Sequence, residues 1–142
     1  MGAITVQETA AAIVAQCKKH GIIVLRYDSV SSDSVYLRLD EGVLGTIRIS
    51  DHKGRKRAKH RYNLLVNGRT YTKHHKDGFT EYFTSLDNVD QMFRRVLKER
   101  EFLKKTYLPF RYRHYMRVNK TDPVKSTRFW KRARYVQKAF KL

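Results

Sequence analysis

Apolar residues near the N-terminus recur at the spacing of a helix with one buried face. The positions that define this face are Val6, Ala10, Ile13, Val14 and Cys17. Thr5 and Glu8 have the spacing of a capping box, in which each residue bonds an amide group at the start of a helix. Gly21 follows the last apolar position, and glycine commonly ends helices. The pattern therefore predicts a first helix between Thr5 and Gly21.

After this glycine the hydrophobic period changes to that of strands. Short segments rich in β-branched and aromatic residues lie at 22–27, 35–39 and 46–50. A strong hairpin signal, Asn67-Gly68, separates two more candidate strands, and a sixth candidate follows them. These later segments lie at 62–66, 70–74 and 79–83. The order of segments and turns predicts an antiparallel sheet of about five strands.

Alternation within the strands divides the predicted sheet into two faces. The residues expected to face the core are Val35, Leu37, Leu39, Ile47 and Ile49. Tyr36, Arg38 and Arg48 then lie on the opposite face, because successive side chains of a strand alternate. We expect Arg26 to join them. This opposite face is either a second anion-binding surface or an open sheet side covered by its own long side chains.

A second helix is predicted after the strands. Apolar residues between Val89 and Leu103 form a stripe, and basic residues occupy the other sides of the helix. The helix is expected to end near Tyr107, because Pro109 disfavours helical geometry at the residue before it.

The C-terminal part of the chain is basic and rich in aromatic residues. Residues 110–120 alternate aromatic or apolar side chains with basic ones, which predicts an extended segment. Asp122 before Pro123 is a common helix start, so a final helix is expected toward the C-terminus. The predicted fold class is therefore α+β, with a compact domain over residues 1–108 and a basic arm over residues 109–142.

Positive charge is concentrated in the second half of the chain. Of a formal net charge of +18, residues 1–50 contribute zero, residues 51–90 contribute +4 and residues 91–142 contribute +14. Repulsion among so many like charges does not stabilise a fold. The usual reason for such a charge is a partner that neutralises it. The sequence thus predicts a non-catalytic protein that binds nucleic acid, with RNA favoured over DNA, or an RNA–protein complex.

The predicted contacts combine fixed positive charge with flat rings that can stack on bases. The first group lies in the arm and comprises Arg111, Tyr112, Arg113, Tyr115, Arg117, Arg128, Lys131, Arg132 and Arg134. The second group lies in a basic segment, predicted as a loop over residues 51–61, and comprises Lys53, Arg55, Lys56 and Arg57. In the alternative interpretation the arm's aromatic residues pack on the sheet, and the basic side chains of both groups are a solvated surface.

Other classes of protein are less well supported by the sequence. Cys17 is the one cysteine, which excludes an internal disulfide and a cysteine metal cluster and favours a reducing compartment such as the cytoplasm. No apolar segment approaches the roughly 20 residues of a membrane span, and no signal peptide, cofactor or metal is predicted. Two alternatives remain: a module that binds an acidic protein surface, and a metal-dependent nuclease using Asp51, His52 and His60.

Four short motifs resemble a set of small phage and prophage proteins. The motifs are Ser34-Val-Tyr-Leu-Arg, Ile47-Arg-Ile-Ser-Asp-His, Arg61-Tyr-Asn-Leu and Asn67-Gly-Arg, within about residues 31–105. The set is similar to a family of type II anti-CRISPR inhibitors, whose members join a basic, flexible terminal arm to a small α/β domain. The resemblance implies a phage-encoded protein that acts, in the host cytoplasm, on an RNA-guided nuclease or its guide RNA. This chain differs in carrying its basic arm at the C-terminus.

Overall fold

The described part of the chain has an α+β fold with two helices and an open antiparallel sheet. The computed structural model describes residues 5–30, 32–52, 55–66, 69–71, 79–121 and 132–136. The strands are β1 (Val24–Asp28), β2 (Val35–Leu39), β3 (Thr46–His52), β4 (Arg55–Val66), β5 (Arg69–Tyr71), β6 (Phe79–Ser85) and β7 (Arg134–Tyr135). Within the described residues six strands, rather than the predicted number of about five, form the sheet in the order β6-β4-β3-β2-β1-β7, and β5 pairs with the end of β4 as a hairpin.

The first helix, α1 (Val6–Lys19), begins and ends as the sequence predicts. Thr5 Oγ1 accepts a hydrogen bond of 3.0 Å from the Glu8 amide, which satisfies one of the free N–H groups at the helix start. Gly21 lies just past the helix with φ of +69°, in the left-handed region that favours glycine. The five apolar positions of the predicted helix face, among them Cys17, are all buried.

The predicted core face of the sheet is confirmed, and one residue of the predicted opposite face is wrong. Val35, Leu37, Leu39, Ile47 and Ile49 are fully buried. The first helix packs on β2 and β3, and the second helix packs on β4 and β6 of the same sheet. We call the other side of the sheet, which carries Tyr36 and Arg48, the outer face. Arg26 does not belong to it, because Arg26 is in register with Leu37 and its guanidinium bonds Gln7 of α1 at 2.7 Å.

The basic segment over residues 51–61 is strand rather than loop. His52 of β3 pairs with Arg55 of β4, and residues 53–54 lie outside the described part of the chain. In the structure, buried and accessible side chains alternate along β4. This alternation is hard to recognise in the sequence because so many of the residues are basic. Ala58 and His60 are fully buried, and they alternate with the exposed Arg57 and the partly buried Lys59.

The second helix, α2 (Val89–Thr121), is broken at the predicted place but does not end there. Leu108 has φ of 67° and ψ of 151°, which is not helical, and it directly precedes Pro109. We call residues 89–107 the first limb and residues 109–121 the second limb. The prediction of an extended segment at 110–120 is therefore wrong. The physical reason is that Tyr112, Tyr115 and Asn119 also recur at helical spacing, and this face packs inward.

The C-terminal region contributes a strand where a helix was predicted. Arg134 and Tyr135 form β7, which pairs with the otherwise free edge of β1. A helix therefore does not run through these two residues, and Val136 beside them joins the core. Residues 122–131 and 137–142, which held most of the predicted final helix, lie outside the described residues.

Asp40, at the end of β2, holds the two helices and the sheet together. Its Oδ1 accepts from the Ile23 amide at 3.0 Å, and its Oδ2 accepts from Arg100 Nε at 2.9 Å and from the Tyr112 hydroxyl at 2.6 Å. Arg100 in turn donates to the carbonyl oxygens of His20 and Gly21 at the end of α1. The Asp40 side chain is fully buried, so its charge depends on these partners.

We expect Asp40→Asn to lower the free energy of unfolding by about 3 to 5 kcal/mol, because Arg100 would keep a partly buried charge without its partner. Urea unfolding followed by circular dichroism measures this change. Asp33→Asn is the matched control, since Asp33 is exposed and its change should stay within about 0.5 kcal/mol. Equal, small effects at both positions would contradict the role given to Asp40.

Candidate nucleic-acid interface

The second limb of α2 presents a surface of uniform charge. It contains no acidic residue, and all of its arginine and lysine side chains are exposed: Arg111, Arg113, Arg117 and Lys120. The exposed His114 lies among them. Like charges on one helical turn repel one another, so the arrangement is not explained by the stability of the helix itself.

The opposite side of the limb fixes its position on the domain. The Tyr112 ring is buried and its hydroxyl donates to Asp40, while Tyr115 packs edge-on against Tyr107 with ring centroids 5.1 Å apart. Burial and the neighbouring Asp40 carboxylate raise the pKa of Tyr112 well above its usual range. Near the end of the limb, Arg38 donates to the Asn119 carbonyl oxygen at 3.4 Å.

Two of the predicted contact residues therefore have a structural place. Tyr112 is only 1% exposed and belongs to the core, so it does not form part of the accessible surface. Tyr115 is partly buried against the same core. The exposed aromatic side chain of the limb is instead Phe110, which is 57% exposed and has the Arg111 guanidinium 5.8 Å from its ring centroid. If the sequence of this segment is interpreted with helical spacing rather than with alternation, Phe110 and Tyr112 fall on different sides of the helix.

The other predicted residues are distributed over the sheet. Arg132 and Arg134 are exposed, and Arg134 pairs with Arg26 where β7 meets β1. Arg57 is exposed on β4, and the ladder places Arg55 and Lys56 opposite His52 and Asp51. The remaining predicted contacts, which lie outside the described residues, are Lys53, Arg128 and Lys131.

A row of basic and aromatic residues crosses the outer face. The ladders place Tyr27 opposite Tyr36, Tyr36 opposite Arg48, and Arg48 opposite Lys59. The two tyrosine rings have centroids 6.2 Å apart, and the Arg48 guanidinium lies 5.5 Å from the Tyr36 centroid. Tyr27 and Lys59 were missed by the sequence prediction, although alternation along β1 and β4 places them on this side.

The end of the second limb lies beside the outer face. Arg38, which bonds the Asn119 carbonyl, is on the same strand and the same side as Tyr36. The Lys120 ammonium group is 5.7 Å from the ring of Tyr135, which pairs with Leu25 on that side. The structure thus brings the end of the limb next to the outer face.

The residues proposed for a nuclease are not arranged as one exposed site. His60 is fully buried, and its Nε2 donates to the Leu44 carbonyl oxygen at 2.7 Å. The ladder places Asp51 on the same side of the sheet as His60, and His52 on the other. Among the described residues, no group of three or more histidine, cysteine or acidic side chains could hold a metal ion.

Comparisons of the chain with protein-family models, with curated proteins and with solved structures find no match. The resemblance to the anti-CRISPR inhibitors therefore stays a prediction. Within the part of the chain that the structure describes, no helix combines the length and the apolar character needed to cross a membrane.

The buried His60 predicts a pH dependence of stability. Burial, with a smaller effect of Arg95, lowers the pKa of His60 to about 4, although the hydrogen bond to Leu44 opposes the shift. In the unfolded chain the histidine pKa is about 6.5. Between the two pKa values the unfolded chain therefore binds a proton at this residue and the folded chain does not. The contribution of neutral His60 to the free energy of unfolding is thus present in full above about pH 6.5 and is lost as the pH falls toward 4. Between pH 7 and pH 5 this loss is about 2 kcal/mol.

Urea unfolding of the wild type and of His60→Gln at both pH values measures this difference. We expect the variant to be less stable at pH 7 but to lose about 2 kcal/mol less than the wild type on acidification. His114→Gln, at an exposed position, should keep the full wild-type loss. A parallel fall of stability in the wild type and His60→Gln would contradict the prediction.

Proposed function

We propose that this protein binds nucleic acid, alone or within a nucleoprotein, and does not catalyse a reaction. The observation that carries the proposal is the second limb of α2, which exposes every one of its arginine and lysine side chains and contains no acidic residue. A phosphate backbone neutralises such a surface, and binding is favoured because condensed counterions are released.

The way the limb is held supports binding rather than mere solubility. Tyr112 and Asn119 fix one side of the limb to the turn after β2 and to the outer face, so the charged side is presented in a set orientation. Repulsion among the arginines is then already overcome by tertiary contacts before a partner arrives. Phe110 adds an exposed ring beside Arg111, which suits stacking on a base.

Removal of two charges from the limb should weaken binding to RNA and lower its salt dependence. In Arg113→Ala/Arg117→Ala the slope of log K against log salt is expected to fall by about 0.7 to 0.9 for each phosphate that the variant no longer neutralises. Fluorescence anisotropy of the full chain with a labelled structured RNA, a single-stranded DNA and a duplex DNA, over a salt series, measures this slope.

The matched control is Lys18→Ala/Lys19→Ala, which removes the same charge from the last turn of α1. We expect this variant to keep the wild-type slope. Equal slopes in both variants would mean that only the net charge acts. If the wild type binds none of the three polymers, the proposal fails, and a partner with an acidic protein surface becomes the interpretation to pursue.

The resemblance of the Ile47-to-His52 motif to phage proteins gives the proposal a narrower form. In that form the nucleoprotein is an RNA-guided nuclease of the CRISPR type, and the protein inhibits it. We expect an excess of the protein to reduce target cleavage by such an effector in vitro, and Arg113→Ala/Arg117→Ala to reduce it less. Full cleavage at all protein concentrations, against a panel of type II effectors, would contradict the narrower form alone.

A further inference from the structure

We infer that the outer face of the sheet is a stacking site for single-stranded nucleic acid. The inference rests on the proposed function and names the form of the polymer. The site is the row Tyr27, Tyr36, Arg48 and Lys59, one residue on each of four neighbouring strands. None of the four belongs to the contacts predicted in the C-terminal arm or in the basic segment.

The geometry of the row matches the shape of an unpaired strand. Neighbouring strands lie about 4.8 Å apart, so the four positions span roughly 14 Å across the sheet. This length accommodates two or three nucleotides, which is the number of bases that exposed sheet aromatics commonly stack. Rings lie at one end of the row and a lysine at the other, so bases and phosphates each have a partner.

The side chains of the row hold one another in place. The Tyr27 and Tyr36 rings are tilted by 41° with centroids 6.2 Å apart, and the Arg48 guanidinium lies 5.5 Å from the Tyr36 centroid. All three side chains are only partly buried. A guanidinium plane stacks on bases as a ring does, so a base can contact either a tyrosine or the arginine without a large rearrangement.

The surrounding charge identifies the occupant as a polyanion. Arg57 is exposed on the same side of β4 as Lys59, two residues before it. At the other side of the row, Arg38 bonds the end of the second limb, where Lys120 adds a further positive charge beside the outer face. An acidic peptide would find the charge but would not use the tyrosine rings. A duplex would be attracted by the charge, but its bases are stacked inside the helix and cannot contact the rings.

Removal of the two rings should weaken binding to single strands selectively. We expect Tyr27→Leu/Tyr36→Leu to reduce affinity for 12-nucleotide oligouridine and oligothymidine by about tenfold or more. Affinity for a duplex of the same length should change by less than about twofold, because the phosphate contacts remain. Fluorescence anisotropy of the full chain measures both, and circular dichroism melting checks the fold of each variant.

Tyr27→Phe/Tyr36→Phe is the matched control, since it keeps the rings and should keep the wild-type preference. A second measurement does not depend on folding of a variant. Ultraviolet cross-linking of the wild type to 5-bromouridine-substituted oligouridine, read by mass spectrometry, should attach the base to Tyr27 or Tyr36.

The outcomes separate this inference from the proposed function. If the wild type binds single strands and duplexes but the leucine variant loses both equally or neither, the stacking site is overturned and the proposed function stands. Cross-links confined to the second limb would also overturn it. A wild type that binds none of these polymers would overturn both, and the row would then be a candidate surface for a protein partner.

Discussion

Asp40 carries a negative charge into the protein interior, and the placement of both helices depends on how that charge is satisfied. Its two oxygens accept from the Ile23 amide just before β1, from Arg100 on the first limb of α2 and from Tyr112 on the second. Hydrogen bonds to a charged group are stronger than neutral ones, and breaking a buried pair leaves an uncompensated charge. Because Arg100 also bonds the end of α1, four elements meet at one carboxylate.

The turn that follows β2 is shaped around this arrangement. Asp40 and Glu41 both have positive φ, and Gly42 follows at φ of +86°. An added Cβ at Gly42 would lie 2.8 Å from Arg38 Nε, so glycine lets the arginine pass beneath the turn. Arg38 then reaches the Glu41 and Asn119 carbonyl oxygens. The contact between the sheet and the end of the second limb thus depends on the backbone of three residues.

Local pattern was sufficient where one element buries one face. The period of α1, the core-facing residues of β2 and β3, and the break before Pro109 could all be predicted, because each is set by neighbours within a few residues. The second limb could not, since its residues fit both an alternating and a helical pattern. Long-range contacts of its inward face decide between them, among them the bond from Tyr112 to Asp40, 72 positions away. In the same way, the edge of β1 draws Arg134 and Tyr135 into a strand.

The candidate site also has one part that local sequence predicts and one part that depends on long-range contacts. Exposed arginines of the second limb were predicted by charge alone, since charge is a local property. The row on the outer face depends on the register of four strands. Local sequence does not show that Tyr27 lies opposite Tyr36, or that Arg48 lies opposite Lys59. Tyr112 was misassigned because an aromatic residue between two arginines has the same local sequence whether it lies on the surface or in the core.

The buried thiol of Cys17 has a practical consequence for studies of this protein. Burial, with a further contribution from Asp40, raises its pKa to about 12. The thiolate is the reactive form, and Cys17 is the single cysteine among the 142 residues. The natural sequence therefore already serves as a cysteine-silent background. A cysteine introduced on the exposed side of the second limb would react with a maleimide dye or spin label at that one position, with the native thiol left in place.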